Sequence, residues 1–161
     1  MNEPLCLIDT DIFSYILKRM EPAYHRSREY LRQHRRFTTS CLTYYECFRG
    51  YKAVGATKRL QVFEEYLMLT DVLYLDQPTL DKAAEIYGVL KPKGIFPGEF
   101  DVLIGATALT HKMVVVTNNE NHYEGMKRHF SLDVRNWMKK PENHEAENII
   151  HYNHEEAEEQ K

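Results

Sequence analysis

The sequence predicts an α/β fold on a central, mainly parallel sheet, and three observations carry that prediction. Residues 5–8 and 113–116 are short unbroken apolar runs, as expected of strands buried on both faces. Strand-like runs alternate along the chain with longer helical patterns, which favours crossover connections over hairpins. The 161 residues suit one domain, and 43% hydrophobic with 28% charged residues is the balance of a water-facing globule with a sizeable core.

The elements follow in order. After the strand at 5–8, a helix is predicted from Asp11 to about Arg19, and Glu21-Pro22 opens a second with Ala23, Tyr24, Tyr30 and Leu31 on its apolar face. Residues 37–39 form a second strand, followed by a helix from Leu42 to about Val54. Gly55 breaks that helix, and Thr57 is expected to cap the next, which runs through Met68. Residues 72–75 make a third strand, and Pro78 begins a helix to about Leu90. The loop 91–94 leads to a helix over 101–111, a fourth strand at 113–116 and a weak last strand at 132–134. The sequence between Val116 and Leu132 receives no assigned element.

Composition divides the chain into residues 1–140, the predicted domain, and an acidic tail, 141–161. The tail holds seven Glu and one Lys, net −6, whereas 1–140 hold 20 basic and 17 acidic residues, net +3. Its scarcity of apolar residues predicts a solvated, disordered segment, in which the HxxH spacing of His151 and His154, with His144 nearby, is weak as a metal site. A mildly basic domain permits nucleic-acid binding without requiring it. Cys6, Cys41 and Cys47 form no CxxC pair, and the first and last sit in apolar or aromatic surroundings, which predicts reduced core thiols. Asp9 and Asp11 interrupt the position of a signal-peptide core, and no uncharged run reaches membrane-spanning length. A cytoplasmic protein without a membrane partner is therefore expected.

The chemistry is expected where polar residues follow the strands, because parallel sheets build their sites at strand carboxyl ends. Asp9 and Asp11 follow the first strand; Ser40 and then Glu46 follow the second; Thr117, Asn118, Asn119 and Glu120 follow the fourth. Glu99 and Asp101 open the helix whose small residues Gly105, Ala106 and Ala108 suit close packing on the sheet. Each group also has an ordinary structural reading. Asp9, Asp11 or Asp101 can cap a helix, Glu46 can pair with Arg49, and Asn118-Asn119 can be a turn. Those readings give no reason for acids to gather at one edge. Carboxylates that gather need a cation, and Asp, Glu and Asn oxygens suit Mg²⁺ or Mn²⁺ rather than Zn²⁺. Such a site suits phosphodiester hydrolysis.

In this order the motifs resemble those of PIN-domain ribonucleases. LIDTDIFSYIL is similar to the first motif, TTSCLTYYECFRG to the second, and GEFDVLIGATALTHKMVVVTNNENHY to the third and fourth together. Order and spacing agree across most of residues 4–137, including Trp137 near the end, and the nearest subgroup is the VapC-like toxins of toxin–antitoxin pairs. The resemblance implies a three-layer α/β/α fold and hydrolysis of RNA to a 5′-phosphate and a 3′-hydroxyl. Residue by residue it implies Mg²⁺ or Mn²⁺ held by Asp9, Glu46 and Asp101, with Asn119 at a fourth position where Asp is common. Asp11 is then a supporting group, Thr10 and Thr117 orient ligands or water, Glu120 is a possible substitute for the missing charge at 119, and Glu99 ranks below Asp101. The resemblance further implies an RNA substrate, a small antitoxin bound over the early helices, a homodimer and a structural role for His122.

Lys18, Arg19, Arg49 and Lys52 lie near these motifs as phosphate-binding candidates or as a solvated face. Tyr44, Phe48 and Tyr51 recur at helical spacing, either as core or interface or as stacking surfaces for bases. His111 ends a helix, where a cation suits the dipole. Two rival functions stand beside the nuclease. A haloacid-dehalogenase-type phosphatase also uses a strand-end Asp-x-Asp, but needs a later acidic pair where this chain has Thr-Asn-Asn. A catalytically degenerate PIN fold would bind RNA or a protein without cutting, which the neutral Asn119 allows.

Overall fold

Five parallel strands form one sheet in the order β3-β2-β1-β4-β5, with β1 Cys6–Ile8, β2 Phe37–Ser40, β3 Thr70–Leu73, β4 Val114–Val116 and β5 Val134–Arg135. The structure is a computed structural model that describes residues 3–140. The acidic tail and its three histidines lie outside the described residues. Seven helices are described: α1 Thr10–Leu17, α2 Ala23–His34, α3 Cys41–Ala53, α4 Thr57–Leu67, α5 Gln77–Leu90, α6 Glu99–His111 and α7 Glu120–Phe130.

Period-two alternation along the two central strands explains the layers. Cys6, Ile8, Val114 and Val116 enter one core with Phe13, Phe37, Phe63 and Trp137, beneath α1 to α4. Leu7 and Val115 point the other way, into a core with Ile86, Leu90, Tyr123 and Met126 from α5 to α7. A strand buried on both faces has no polar side, which is why these runs are unbroken apolar sequence. The result is the three-layer α/β/α arrangement. The Tyr30 hydroxyl reaches the sheet and accepts the Cys6 backbone N–H at 3.0 Å. Cys6 and Cys47 are buried free thiols, both pushed up to about 12 by burial, while Cys41 is half-buried.

Register positions the site. Ile8 pairs with Val116 on one side and with Thr39 on the other, so Asp9 and Thr117 leave the sheet beside Ser40, the last residue of β2. The strand order reverses direction between β1 and β4, the place where connecting helices part to opposite faces and leave a crevice.

Several local features differ from the sequence expectation, among them β5, which occupies Val134–Arg135 rather than 132–134. Helix α7 was not predicted, because its fully buried residues are only Tyr123 and Met126, on a largely polar segment. Strand β3 begins two residues early, since its ladder runs from Phe37–Thr70 to Ser40–Leu73 and Tyr74 lies beyond the partner's end. Thr57 is the first residue inside α4 and does not cap it; Ala56 holds that position. Gly105 serves a close approach to α7 rather than to the sheet: a Cβ there would lie 2.3 Å from the Met126 sulfur.

Candidate active site

Asp9 is delivered by the shortest available connection from a strand, whereas Glu46 and Asp101 are carried on helices. Asp9 is the single residue between β1 and α1 and caps that helix, its Oδ1 accepting the Thr10 N–H at 2.8 Å. Its other oxygen, Oδ2, accepts the Tyr123 hydroxyl at 3.0 Å. Ser40 caps α3 by accepting the Thr43 N–H, and Glu46 lies one and a half turns further along the same helix. Asp101 stands in the first turn of α6 behind Gly98, whose φ of 146° favours glycine and where a Cβ would sit 3.4 Å from Asp101 Oδ2. Asp101 therefore does not cap its helix.

These elements enclose an open cavity of about 850 Å³ whose walls include Asp9, Asp11, Glu46, Asp101 and Asn119. Thr10 and Glu99 also line it. The Thr10 hydroxyl donates to Glu46 Oε2, which ties the first and second motifs together. Asp11 does a similar job between the first and fourth. Its Oδ2 accepts the Asn118 N–H at 2.8 Å, and the Thr117 hydroxyl lies 3.5 Å from each of its oxygens. Thr117 Oγ1 in turn accepts the Asn119 N–H at 3.1 Å, so it acts through the turn rather than on the cavity.

Glu120 departs from its expected place. It lines an adjoining polar hollow, where Lys139 pairs with it and Asn136 donates to it at 3.3 Å. That pairing holds its carboxyl below the usual range and draws it away from the acids, so it does not supply the charge missing at Asn119. His122 stands at the cavity as well. Its Nδ1 lies 3.2 Å from Asp101 Oδ2, and its ring borders the cavity.

Electrostatics mark the crowding of like charge. Burial, then the neighbouring Asp11 carboxylate, pushes Asp9 up from 3.8 to about 6, against the pull of its hydrogen bonds from Thr10 and Tyr123. Burial also raises Asp11 and Asp101, the latter opposed by His122. A hard dication fits this donor set, all of it oxygen and most of it anionic. Among the described residues, however, no three His, Cys, Asp or Glu side chains converge on one point as a preassembled metal site. The acids share a cavity; they are not drawn to a common centre.

Other sequence candidates resolve by contact. Of the four basic residues singled out, Arg49 lines the cavity and lies 3.9 Å from Glu46. Lys52 lies over Phe48, Arg19 over Tyr24, and Lys18 closes α1. Tyr44 and Tyr51 pack on Phe63 at ring-centroid distances of 6.0 and 5.8 Å, with Phe48 stacked on Tyr44, so this stripe is the α3–α4 seam. The sequence gives no sign of Tyr123, whose segment carries no assigned element, or of Phe100 on the cavity wall.

The profile of the PIN domain family matches residues 6–126. The chain belongs to the PIN domain family. Among curated relatives, this PIN domain is 28% identical to ribonuclease VapC1 of Methanocaldococcus jannaschii over 59% of this chain and 67% of that protein. It is 27% identical to the tRNA(fMet)-specific endonuclease VapC of Shigella flexneri over 73% of this chain and 89% of that one. A chain of the DNA-bound VapBC structure from Salmonella typhimurium is 26% identical and superposes with a TM-score of 0.69, over 84% of this chain and 99% of that chain. No helix among the described residues is long and apolar enough to cross a membrane.

Proposed function

We propose that this PIN domain is a Mg²⁺- or Mn²⁺-dependent endoribonuclease and the toxin of a VapC-type toxin–antitoxin pair. The observation that carries the reading is the gathering of Asp9, Glu46, Asp101 and Asn119 around one cavity at the switch between β1 and β4. The relatives' ribonuclease names support RNA as the substrate, and the VapBC structure supports a small antitoxin as the partner. A homodimer, a cytoplasmic setting and residues 1–140 as the nuclease unit belong to the same reading.

In this proposal Asp9, Glu46 and Asp101 hold the metal, and Asn119 offers a neutral fourth ligand. A bound dication supplies positive charge to a scissile phosphate and lowers the pKa of water. The chain's own contribution is orientation. Tyr123 and the Thr10 N–H fix both oxygens of Asp9, Thr10 aims Glu46, and His122 steadies Asp101. Asp11 locks α1 to the turn after β4, which keeps the acids within one cavity. Cleavage leaves a 5′-phosphate and a 3′-hydroxyl.

Sequencing RNA ends after expression of wild type and Asp9→Asn tests the reading. New ends carrying a 5′-phosphate are expected with wild type alone; identical end profiles would overturn it. Titrating Mn²⁺ or Mg²⁺ against the mapped RNA separates this function from a degenerate binder, which holds RNA without shortening it.

A further inference from the structure

Helix α2 carries its charge on the side away from the core. Residues 25–36 hold five arginines, Arg26, Arg28, Arg32, Arg35 and Arg36, against one acid, Glu29. Two of the five are used by the fold. The Arg26 guanidinium donates to the Asn136 carbonyl at 3.4 Å, and Arg36 pairs with Asp71 at 2.8 Å. Glu29 is taken by His25. Arg28, Arg32 and Arg35 are exposed, and no carboxylate among the described residues pairs with them. Arg28 and Arg32 stand one turn apart on the face opposite the buried Ala23, Ser27 and Tyr30, and Arg35 caps the end of the helix. These three make an uncompensated cationic strip, which gathers anions. The acid cavity does not account for it, because among the described residues none from α2 lines that cavity.

The main chain leaves the described fold beside this helix. The Asn136 carbonyl meets Arg26, and the Trp137 ring lies 5.6 Å from that of Tyr30, which stands on α2. The acidic segment 141–161 starts four residues beyond Trp137, with seven Glu against one Lys, net −6. Fully extended, a segment of that length spans about 70 Å, several times the ~18 Å of a helix as long as α2. A tethered segment meets the strip at a millimolar effective concentration, which sets it ahead of polyanions diffusing in dilute solution.

We propose that residues 141–161 dock through their glutamates on the Arg28–Arg32–Arg35 strip of α2, so that the domain covers its most basic surface with its own acidic segment. A single exposed Arg–Glu contact adds little, but several made by one tethered segment act together. The docked segment screens the strip from nucleic acid, which a bare arginine strip binds without regard to sequence.

The test uses the full chain with Arg32→Lys, which puts an amine on the strip where residues 25–36 have no lysine. A water-soluble carbodiimide links that amine to a carboxylate in contact with it, and peptide mass mapping of the single-chain product identifies the carboxylate. Lys112, exposed at the end of α6 in the opposite layer, is the internal comparison. At low ionic strength, linkage of position 32 to Glu142, Glu145 or Glu147 and to the later tail glutamates is expected to exceed that of Lys112 severalfold. It is expected to vanish in about 1 M salt, where the Debye length is about 3 Å. Equal linkage at the two positions, or none from position 32 to the tail, overturns the docking. A product of two linked chains assigns the strip to a second copy and overturns it too. In a second measurement, replacing Arg28, Arg32 and Arg35 together by Gln is expected to leave the full chain's affinity for poly(U) unchanged. A severalfold loss there assigns the strip to RNA and overturns the docking. The linkage reads contact and not cleavage, so its outcome is independent of the ribonuclease reading.

Discussion

The ends of β1 and β4 lie side by side in register, yet they handle their polar residues differently. After β1 one residue, Asp9, separates strand from helix, and both its carboxylate oxygens are held by donors. After β4 three residues intervene before α7, and Asn119 caps that helix with no side-chain hydrogen bond. Glu120, the next residue, then turns aside to Lys139 and Asn136. A one-residue junction leaves a side chain no choice of direction. A longer turn lets adjacent residues part, one to the cavity and one to the flank. Proximity in sequence to a site residue is thus strong placement information at β1 and weak at β4.

The contrast breaks most sharply at Asp9. Asp9→Asn is expected to end metal-dependent cleavage, yet to stabilise the metal-free domain at neutral pH. The folded pKa, about 6, lies above the ordinary 3.8, so the folded state holds a proton that the unfolded chain releases between those values. Stability is therefore full below about pH 4 and lost as pH rises through about 6. Removing the charge restores on the order of 3 kcal/mol at pH 7 and nothing near pH 3, a difference visible in urea melts at the two pH values.

Tyr123→Phe loosens the same end without altering charge. Losing the hydroxyl donated to Asp9 raises that carboxyl further, so the acid limb of the cleavage profile is expected to move to higher pH. Metal affinity by calorimetry should fall about tenfold, the usual scale for a group that orients a ligand. At the β4 end, Asn119→Asp tests whether a carboxylate there joins the others. The expected result is a roughly tenfold gain in Mn²⁺ affinity, with lower thermal stability when metal is absent. The smallest effect is expected for Glu120→Ala. Cleavage should match wild type and stability should change by less than about 0.5 kcal/mol, since Lys139 is largely exposed. A marked loss of activity in that variant would mean that Glu120 serves the site alongside Asn119.

Legibility followed the same division. Strands β1 and β4 were readable because burial on both faces demands uninterrupted apolar sequence, and the residue just past each end marks the site edge. The helices α5 and α6 were readable from Pro78 and from the small-residue run after Asp101. Helix α7 was not, because its segment buries only Tyr123 and Met126 fully, with Phe130 partly packed on the core, and the space for Met126 is left by Gly105 on another helix. Missing α7 meant missing the hydroxyl on Asp9 and the contact between His122 and Asp101. Likewise, Tyr44, Phe48 and Tyr51 are legible as a helical stripe, but nothing local distinguishes the seam-facing Tyr44 from the exposed Tyr45.

By itself the sequence determined the α/β class and the mainly parallel sheet, since apolar periodicity is a local property of the chain, and the family resemblance singled out the candidate acids. Tertiary structure alone decided which oxygens face one another. Tyr123 reaches Asp9 across 114 positions, Asp11 meets Asn118 across 107, and Thr10 meets Glu46 across 36. Those meetings depend on how strands order themselves and how closely helices pack, and both are set by the cores on the two faces of the sheet.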